Sequence, residues 1–315
     1  MIAGSMTIPD GIILIDKPAG ISSHSVVSKL RRVLGVRRIG HGGTLDPGAT
    51  GLLVIFVGRA TRLADYLGSG LKRYDATIRF GIATDTDDAD GKVVATGPLP
   101  LVTVEEMSRS RERFLGEIEQ VPPAYSAVQV KGRRAYKAAR KGEALDLRPR
   151  TVRIEAIDIV RWEPPDLDVR VACRSGTYIR SLARDWGRSL GSEAHLVRLR
   201  RERSEPFDVQ RALTLEEVER WTKAGDLSTV VKSPLPALVE TLGRLVQIGS
   251  DEAERFIHGA SVRVIGCVPG PSGGGPAVVT SAGSLIGLAD GRSEKDGSAI
   301  LLQPRLVWAP GLEPT

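Results

Sequence analysis

The sequence has few of the residues that build metal centres and covalent cross-links. Cys173 and Cys267 are its only cysteines, which excludes a disulfide framework and a thiolate metal cluster. The histidines, at positions 24, 41, 195 and 258, never fall at the i, i+4 spacing of a helical zinc pair. We therefore expect no metal site.

Long apolar runs are also missing. No run approaches the roughly 20 residues that a membrane span needs. The N-terminal stretch carries Pro9, Asp10 and Asp16 instead of a signal-peptide core. The chain has 315 residues, of which 41% are hydrophobic, and single cores seldom grow beyond about 250 residues. The sequence therefore predicts a soluble, cytoplasmic protein of two domains with no membrane segment.

Positive charge is concentrated in one segment. Residues 131–150 carry eight basic and two acidic side chains, a net charge of +6 that equals that of the whole chain. A second cluster contains Arg198, Arg200, Arg201 and Arg203. One such cluster is typical of a solvated surface. Two clusters favour nucleic-acid binding, because basic charge attracts phosphates irrespective of sequence.

A glycine-rich stretch at residues 38–53 surrounds one carboxylate, Asp46, and one imidazole, His41. Pro47 disfavours the helical region for the residue before it, so Asp46 is predicted to lie on a loop. The continuous apolar run at residues 52–57 then predicts a buried strand. An acid fixed in a glycine-rich loop beside a core strand is a candidate for chemistry.

Nucleotide-binding motifs do not fit this stretch. A phosphate-binding loop requires a lysine where Ala49 follows Gly48, and the dinucleotide-binding pattern requires a glycine where Leu45 stands. From these residues alone, Asp46 is equally compatible with catalysis and with a capped turn.

Residues 40–53, Gly-His-Gly-Gly-Thr-Leu-Asp-Pro-Gly-Ala-Thr-Gly-Leu-Leu, resemble the catalytic-aspartate motif of the TruB family of tRNA pseudouridine synthases. Further matches follow in the order Leu-Ile-Asp-Lys-Pro-Ala-Gly (14–20), Lys-Arg-Tyr (72–74), Thr-Asp-Thr-Asp-Asp-Ala-Asp-Gly (84–91) and Ser-Gly-Thr-Tyr-Ile-Arg (175–180). They cover roughly the first 200 residues, and the last third carries no specific motif.

The resemblance implies an α+β fold with a mixed, mainly antiparallel sheet and flanking helices. We expect this catalytic domain at residues 1–235 and a small β-rich, PUA-like RNA-binding domain at residues 236–315. In the second part, short apolar runs alternate with glycine-rich turns. The glycine tract at residues 271–276 is equally compatible with a disordered loop.

The reaction that the resemblance implies breaks the bond between uracil N1 and ribose C1′, turns the base and rejoins it through C5. It needs no redox step and no group donor, so we expect no cofactor. The resemblance assigns the chemistry to Asp46, whether as a nucleophile at C1′ or at C6 or as a base. A buried carboxylate needs a nearby opposite charge to stay ionised, and Arg180 is the candidate partner. Tyr74 is expected to stack on the uracil and to accept the C5 proton.

Four further residues match family positions that line the pocket. His41 is expected to brace the space that the flipped base leaves, Lys17 to buttress the pocket, Tyr178 to line it and Leu199 to pack on the base. Ordinary structural roles stay open for three of the candidate residues. Arg180 is also compatible with a surface arginine, Tyr74 with an aromatic residue of a strand and His41 with a loop histidine.

By the same resemblance, residues 130–150 are an inserted basic segment that closes over RNA. Its candidate phosphate contacts are Arg133, Arg134, Arg140 and Lys141. The implied substrate is uridine 55 in the T loop of tRNA, with no guide RNA, and we expect a monomer. Residues 84–91 do not match a calcium loop and are predicted to form a hairpin turn beside the cleft.

Two other functions remain open. A guide-dependent synthase of the dyskerin type shares these motifs, and a non-catalytic RNA-binding or RNA-folding protein would need only the basic segments. The short N-terminus and the basic insertion favour the stand-alone enzyme.

Overall fold

Strands and short helices follow one another along the chain. A computed structural model describes residues 8–126, 128–130, 132–139, 141–143, 145–265, 276–294 and 298–308. The strands are β1 (Gly11–Lys17), β2 (Ile39–His41), β3 (Thr50–Val57), β4 (Lys72–Phe80), β5 (Ile82–Thr84), β6 (Val93–Thr96), β7 (Gly116–Gln120), β8 (Gln129–Val130), β9 (Arg133–Arg134), β10 (Arg150–Glu163), β11 (Asp166–Cys173), β12 (Ala194–Ser204), β13 (Phe207–Asp208), β14 (Leu245–Gln247), β15 (Val262–Ile265), β16 (Ala277–Ser281), β17 (Ser284–Ser293) and β18 (Ala299–Val307).

The helices are short. They are α1 (Ser23–Leu34), α2 (Ala64–Leu67), α3 (Val104–Ser110), α4 (Ala135–Ala139), α5 (Ile179–Ser189), α6 (Leu215–Lys223), α7 (Leu227–Val230), α8 (Leu235–Leu242) and α9 (Ser250–Ile257). Within the described ranges, none of them has the length and apolar character needed to cross a membrane. Helix α1 begins after Ser22, whose side chain caps it, and ends at Gly35, which lies in the left-handed region.

One large sheet organises the first two thirds of the chain. Its strand order is β1-β3-β12-β4-β11-β10-β7, with β2 added beside β3 and β13 beside β12. Neighbouring strands are antiparallel, except that β3 and β12 run parallel and pair at residues 50–51 and 200–201. The predicted mixed, mainly antiparallel α+β fold is confirmed.

Strand β3 is buried on both faces, which explains its apolar sequence without polar alternation. Leu53 and Ile55 belong to a core that side chains of α1 and α5 complete. Leu52 and Phe56 point to the opposite face, into a second core. The loop that carries Asp46 therefore leads into the most enclosed strand of the sheet.

Helix α5 carries an apolar stripe that faces the core. Leu182 and Trp186 are fully buried, and Leu190 packs partly buried against the same core. Trp186 Nε1 also donates a hydrogen bond to Ser110 Oγ of α3 at 2.7 Å. These contacts fix α5, and with it Arg180 on its first turn.

The last part of the chain forms the predicted small β-rich unit. Its sheet has the strand order β14-β16-β17-β18-β15, and Phe256 of α9 fills its core. Most of the predicted glycine tract, residues 271–275, lies outside the described residues.

The small sheet packs on the far face of the large one. Leu288, Leu306 and Trp308 join Phe56 in the second core, and the Arg59 guanidinium lies 5.2 Å from the centre of the Trp308 ring. Since α8 and both sheets contribute to this core, the division of the chain after residue 235 stays a prediction.

Adding a methyl group at Gly51 by substitution with alanine tests how closely β3 and β12 pack. Gly51 has a φ of +94°, and a Cβ there would lie 2.3 Å from the carbonyl oxygen of Arg201. We expect Gly51→Ala to lower the free energy of unfolding by about 3 kcal/mol or more, since a strained φ and a backbone clash act together. Urea denaturation measures the loss.

Gly35→Ala is the matched control. Gly35 also has a positive φ, +66°, but a Cβ there meets no atom within 4 Å. Its cost is expected to be about 1 kcal/mol, from the backbone conformation alone. Equal losses for the two variants would show that the contact between β3 and β12 is not close.

Candidate active site

The loop between β2 and β3 carries Asp46 and is attached to the start of α1. Ser23 is buried, and its Oγ accepts from Leu45 N at 2.8 Å and donates to Leu45 O at 2.9 Å. On the other side of Asp46, Ala49 N donates to Asp46 O at 3.1 Å, which closes a turn. Hydrogen bonds to the main chain on both sides of the Asp46 side chain thus fix the position from which the carboxylate projects.

Lys17, at the end of β1, supports the same loop. Its buried Nζ donates to the carbonyl oxygens of Pro18, Ile21 and Pro47 at 2.8, 2.8 and 3.1 Å. Burial lowers the pKa of Lys17 to about 8, against the opposing effect of the Asp46 carboxylate. Lys17 therefore contacts the loop through main-chain oxygens and not through the Asp46 carboxylate.

Arg180 pairs with Asp46 through two nitrogens. Nη2 donates to Oδ1 at 2.9 Å, and Nε lies 2.8 Å from Oδ2. Arg180 also donates to the carbonyl oxygens of Thr86 and Tyr125, at 2.9 and 3.0 Å. The arginine side chain is 4% exposed and the aspartate side chain 33%. The guanidinium is therefore held behind the carboxylate, and one side of the carboxylate is accessible to solvent.

The turn between β5 and β6 borders this pair, where the sequence predicts a hairpin turn. Asp88 Oδ2 lies 3.7 Å from Arg180 Nε. Asp87 Oδ2 accepts from Arg184 Nη1 at 2.8 Å, and burial raises the pKa of Asp87 while Arg184 opposes that effect. Leu196 N of β12 donates to Asp87 O at 3.0 Å. The carboxylates of this turn thus organise protein contacts.

A cleft opens where β3 and β12 part. Asp46, Arg180 and Asp88 line it together with Leu199 of β12. Thr50 Oγ1 lies 3.5 Å from Leu199 O at the edge of the opening. The structure thus brings three of the predicted site residues, Asp46, Arg180 and Leu199, to one cleft.

Tyr74 lies on β4, where it pairs in register with Arg201 of β12 and Val171 of β11. It is 8% exposed. Burial raises the pKa of its hydroxyl, the Arg201 guanidinium opposes this, and the Asp46 carboxylate adds to it. Tyr74 and Asp46 therefore share one electrostatic environment.

His41 and Tyr178 flank the site. His41 ends β2; its buried Nδ1 has no hydrogen-bond partner among the described residues, and burial, with help from Arg201, lowers the pKa of its imidazole. Tyr178 precedes α5, and its main-chain N donates to Gln120 Oε1 at 2.8 Å. Burial raises the pKa of the Tyr178 hydroxyl.

Two buried cations beneath the loop were not among the predicted site residues. Arg201 is 1% exposed; its Nε donates to Leu52 O at 2.7 Å and its Nη2 to Gly43 O at 3.1 Å. Lys72 Nζ donates to Gly68 O at 2.9 Å. Burial, with a smaller contribution from Arg201, lowers the pKa of Lys72 to about 8.

The interpretation of the second basic cluster as a phosphate-binding surface is therefore wrong for Arg201. Arg200 is not free either, since it donates to both carboxylate oxygens of Asp16 at 3.0 and 2.9 Å. One signal was available in the sequence: side chains alternate along a strand, so Arg201 shares a face with Leu199, which was expected to line the pocket and pack on the base.

The basic insertion forms a small hairpin, β8 and β9, followed by α4. Arg133 pairs with Glu143, and Lys141 is exposed. Arg140 and the side chain of Arg134 lie outside what the structure describes. The four predicted phosphate contacts thus stay predictions.

Comparison with known proteins agrees with this geometry. A sequence model of the TruB family pseudouridylate synthase N-terminal domain matches residues 31–179, and one of the tRNA pseudouridylate synthase B C-terminal domain matches residues 180–247. The tRNA pseudouridine synthase B of Gloeobacter violaceus is 48% identical over 80% of this chain and 86% of its own. That of Thermobifida fusca is 41% identical over 95% of this chain and 99% of its own.

Solved structures give the same fold. A Cbf5–Nop10–Gar1 complex contains a chain that matches with a TM-score of 0.72 at 28% identity, covering 95% of this chain and 85% of that one. An H/ACA RNP bound to a substrate RNA containing 2′-deoxyuridine matches with a TM-score of 0.71 at 26% identity, with the same coverage. On sequence and fold, this chain belongs to the TruB family of pseudouridylate synthases and is an isomerase.

Proposed function

We propose that this chain converts uridine to pseudouridine in the T loop of tRNA, at position 55, without a guide RNA. The observation that carries the proposal is the ion pair between Asp46 and Arg180, with a partly exposed carboxylate in front of a buried guanidinium. The relatives named tRNA pseudouridine synthase B, at 48% and 41% identity, support tRNA as the substrate.

The isomerisation balances within the uridine itself. The N1–C1′ bond breaks, a C5–C1′ bond forms, C5 loses a proton and N1 gains one. We assign Asp46 the role of the anionic oxygen that acts on the uridine, because its carboxylate faces the cleft while its charge is paired from behind. The choice between attack at C1′, attack at C6 and action as a base stays open.

Arg180 is assigned to hold that carboxylate. A charge-assisted, two-point contact fixes orientation as well as charge. Two further bonds, to Thr86 O and Tyr125 O, prevent the guanidinium from rotating away. Such preorganisation needs no rearrangement at the moment of reaction.

The target base must leave its stack to reach Asp46, at a cost of a few kcal/mol. Leu199 lines the cleft and is assigned to pack on the base, His41 to brace the vacated space and Tyr178 to line the pocket. Tyr74 is assigned to stack on the uracil, an interaction worth about 1–3 kcal/mol. Burial raises the pKa of its hydroxyl, which favours the neutral phenol for stacking. Its acceptance of the C5 proton stays a prediction.

A guide-dependent synthase is the competing assignment, because the structural matches come from an H/ACA RNP and a Cbf5 complex. Those chains are 26% and 28% identical to this one, well below the identity of the tRNA pseudouridine synthase B relatives. The difference supports the stand-alone assignment.

Purified protein alone should release tritium from C5-labelled uridine in an unmodified tRNA transcript. Release only after a guide RNA is added would contradict the proposal.

Asp46→Asn tests the carboxylate. The amide keeps the shape but has no anionic oxygen, so turnover is expected to fall at least about 1000-fold. The dissociation constant for tRNA should change less than about twofold, because phosphates dominate affinity. Tritium release and filter binding measure the two quantities.

Asp88→Asn is the matched control, since Asp88 lies in the same cleft at 3.7 Å from Arg180 Nε. We expect it to lower turnover less than about tenfold. If Asp46→Asn retains substantial turnover, or if Asp88→Asn loses as much as Asp46→Asn does, the chemistry does not belong to Asp46.

Neutralising the basic insertion tests RNA contact. We expect replacement by glutamine of Arg133, Arg134, Arg140 and Lys141 together to weaken tRNA binding and to flatten its salt dependence. Each lost phosphate contact should reduce the slope of log K against log salt by about 0.7–0.9. Binding measured across a salt series gives this slope.

The control set consists of arginines outside the insertion, on β10 and β11 or directly after β11, each of which pairs with a carboxylate as Arg133 does. Its members are Arg153, Arg161, Arg170 and Arg174. Their replacement should leave the slope unchanged. An unchanged slope in the insertion variant would mean that the insertion does not touch phosphate.

A further inference from the structure

Arg201 carries a positive charge where burial is nearly complete, at 1% exposure. In the described part of the chain no carboxylate pairs with it, whereas its strand neighbour Arg200 pairs with Asp16 and Glu202. Taking an ion out of water is costly unless hydrogen bonds replace the lost hydration. The groups that accept its hydrogen bonds therefore indicate what it does.

Its surroundings are themselves basic. Arg201 contributes to lowering the pKa of Lys17, Lys72 and His41. Attraction to a neighbouring anion thus does not explain the position of this guanidinium. A third cation beside two buried lysines is unfavourable by charge alone.

Its hydrogen bonds close the base of the Asp46 loop. Nε donates to Leu52 O at 2.7 Å and Nη2 to Gly43 O at 3.1 Å. Gly43 lies three residues before Asp46 and Leu52 six residues after it. One side chain therefore holds both ends of the loop at a fixed separation.

The same residue is the cross-strand neighbour of Tyr74. The two residues are opposite each other in the β4–β12 ladder, and the Arg201 guanidinium acts to lower the pKa of the Tyr74 hydroxyl against the larger effect of burial. Arg201 thus contacts the main chain that carries the proposed catalytic carboxylate and lies beside the residue that is assigned to stack on the base.

We propose that Arg201 is a positioning residue of the isomerisation, which fixes the Asp46 loop and the Tyr74 hydroxyl in one arrangement. This inference rests on the proposed function. An arginine suits the position because its planar fork offers five N–H donors in fixed directions, whereas a lysine offers a single charged point.

The kinetic test compares Arg201→Met, Arg201→Lys and Arg111→Met. Arg111 is the control because its Nη1 also donates to a main-chain oxygen, Ile157 O at 2.7 Å, on the opposite part of the sheet. We expect Arg201→Met to lower kcat about 100-fold with KM and tRNA affinity changed less than about twofold, since small misplacements of reacting groups cost rate. Arg201→Lys should recover about tenfold of that loss, and Arg111→Met should keep the wild-type kcat.

A double variant shows whether Arg201 acts through Tyr74. In a Tyr74→Phe background, which lacks the hydroxyl, Arg201→Met is expected to cost clearly less than in wild type. Equal losses in the two backgrounds, or a kcat loss in Arg111→Met as large as that in Arg201→Met, would overturn the proposal. If Arg201→Met does not fold, Arg201→Lys replaces it in the same comparison.

A readout without turnover separates this inference from the proposed function. The ζ-carbon resonance of Tyr74, assigned by its loss in Tyr74→Phe, reports ionisation of the hydroxyl. We expect Arg201→Met to move its titration to higher pH, and Arg201→Lys, which keeps the positive charge, to move it less, because Arg201 favours the ionised form while Cys173 and Asp46 oppose it. An unchanged titration overturns the positioning role, whether or not the wild-type chain acts on tRNA.

Discussion

The pairing of Arg180 with Asp46 is the constraint on which the rest of the site depends. A cation on the first turn of a helix is unfavourable to the helix dipole, and this one is almost completely buried. It is stable there because Asp46 and two main-chain oxygens surround it. Trp186 anchors α5 in the core, so the packing of this helix fixes the position of the guanidinium. The loop that carries Asp46 must therefore fold so that its carboxylate reaches the guanidinium.

The glycine-rich loop meets that requirement by offering main-chain oxygen to buried cations. Lys17 binds the oxygen of Pro47, and Arg201 binds those of Gly43 and Leu52. Bulky side chains would keep such cations away, and a Cβ on Gly51 would meet the backbone of Arg201. The loop is therefore shaped by three basic side chains, two of which contact only its backbone. This leaves the Asp46 carboxylate as the anionic group that the loop presents to the cleft.

Local patterns predicted the parts of the fold that depend on local sequence. The buried strand β3 follows from its apolar run and the loop position of Asp46 follows from Pro47, both of which neighbouring residues determine. The pairing of Arg180 with Asp46 joins residues 134 positions apart. Periodicity cannot give such a pair; it was expected from the family resemblance and from the need of a buried carboxylate for a nearby opposite charge. Arg201 escaped prediction because it stands among surface arginines, and its burial depends on the register of β12 against β4 and β3.

The basic insertion and the proposed catalytic pair share one stretch of main chain. Tyr125 O accepts a hydrogen bond from Arg180, and the next carbonyl, Ser126 O, accepts one from the main-chain N of Tyr136 in α4. The segment that is proposed to contact RNA phosphates thus begins one residue from an acceptor of the guanidinium that holds Asp46. An insertion placed elsewhere on the sheet would supply the same charge without this connection. The conformation of the insertion and the orientation of Arg180 therefore depend on the same few peptide groups.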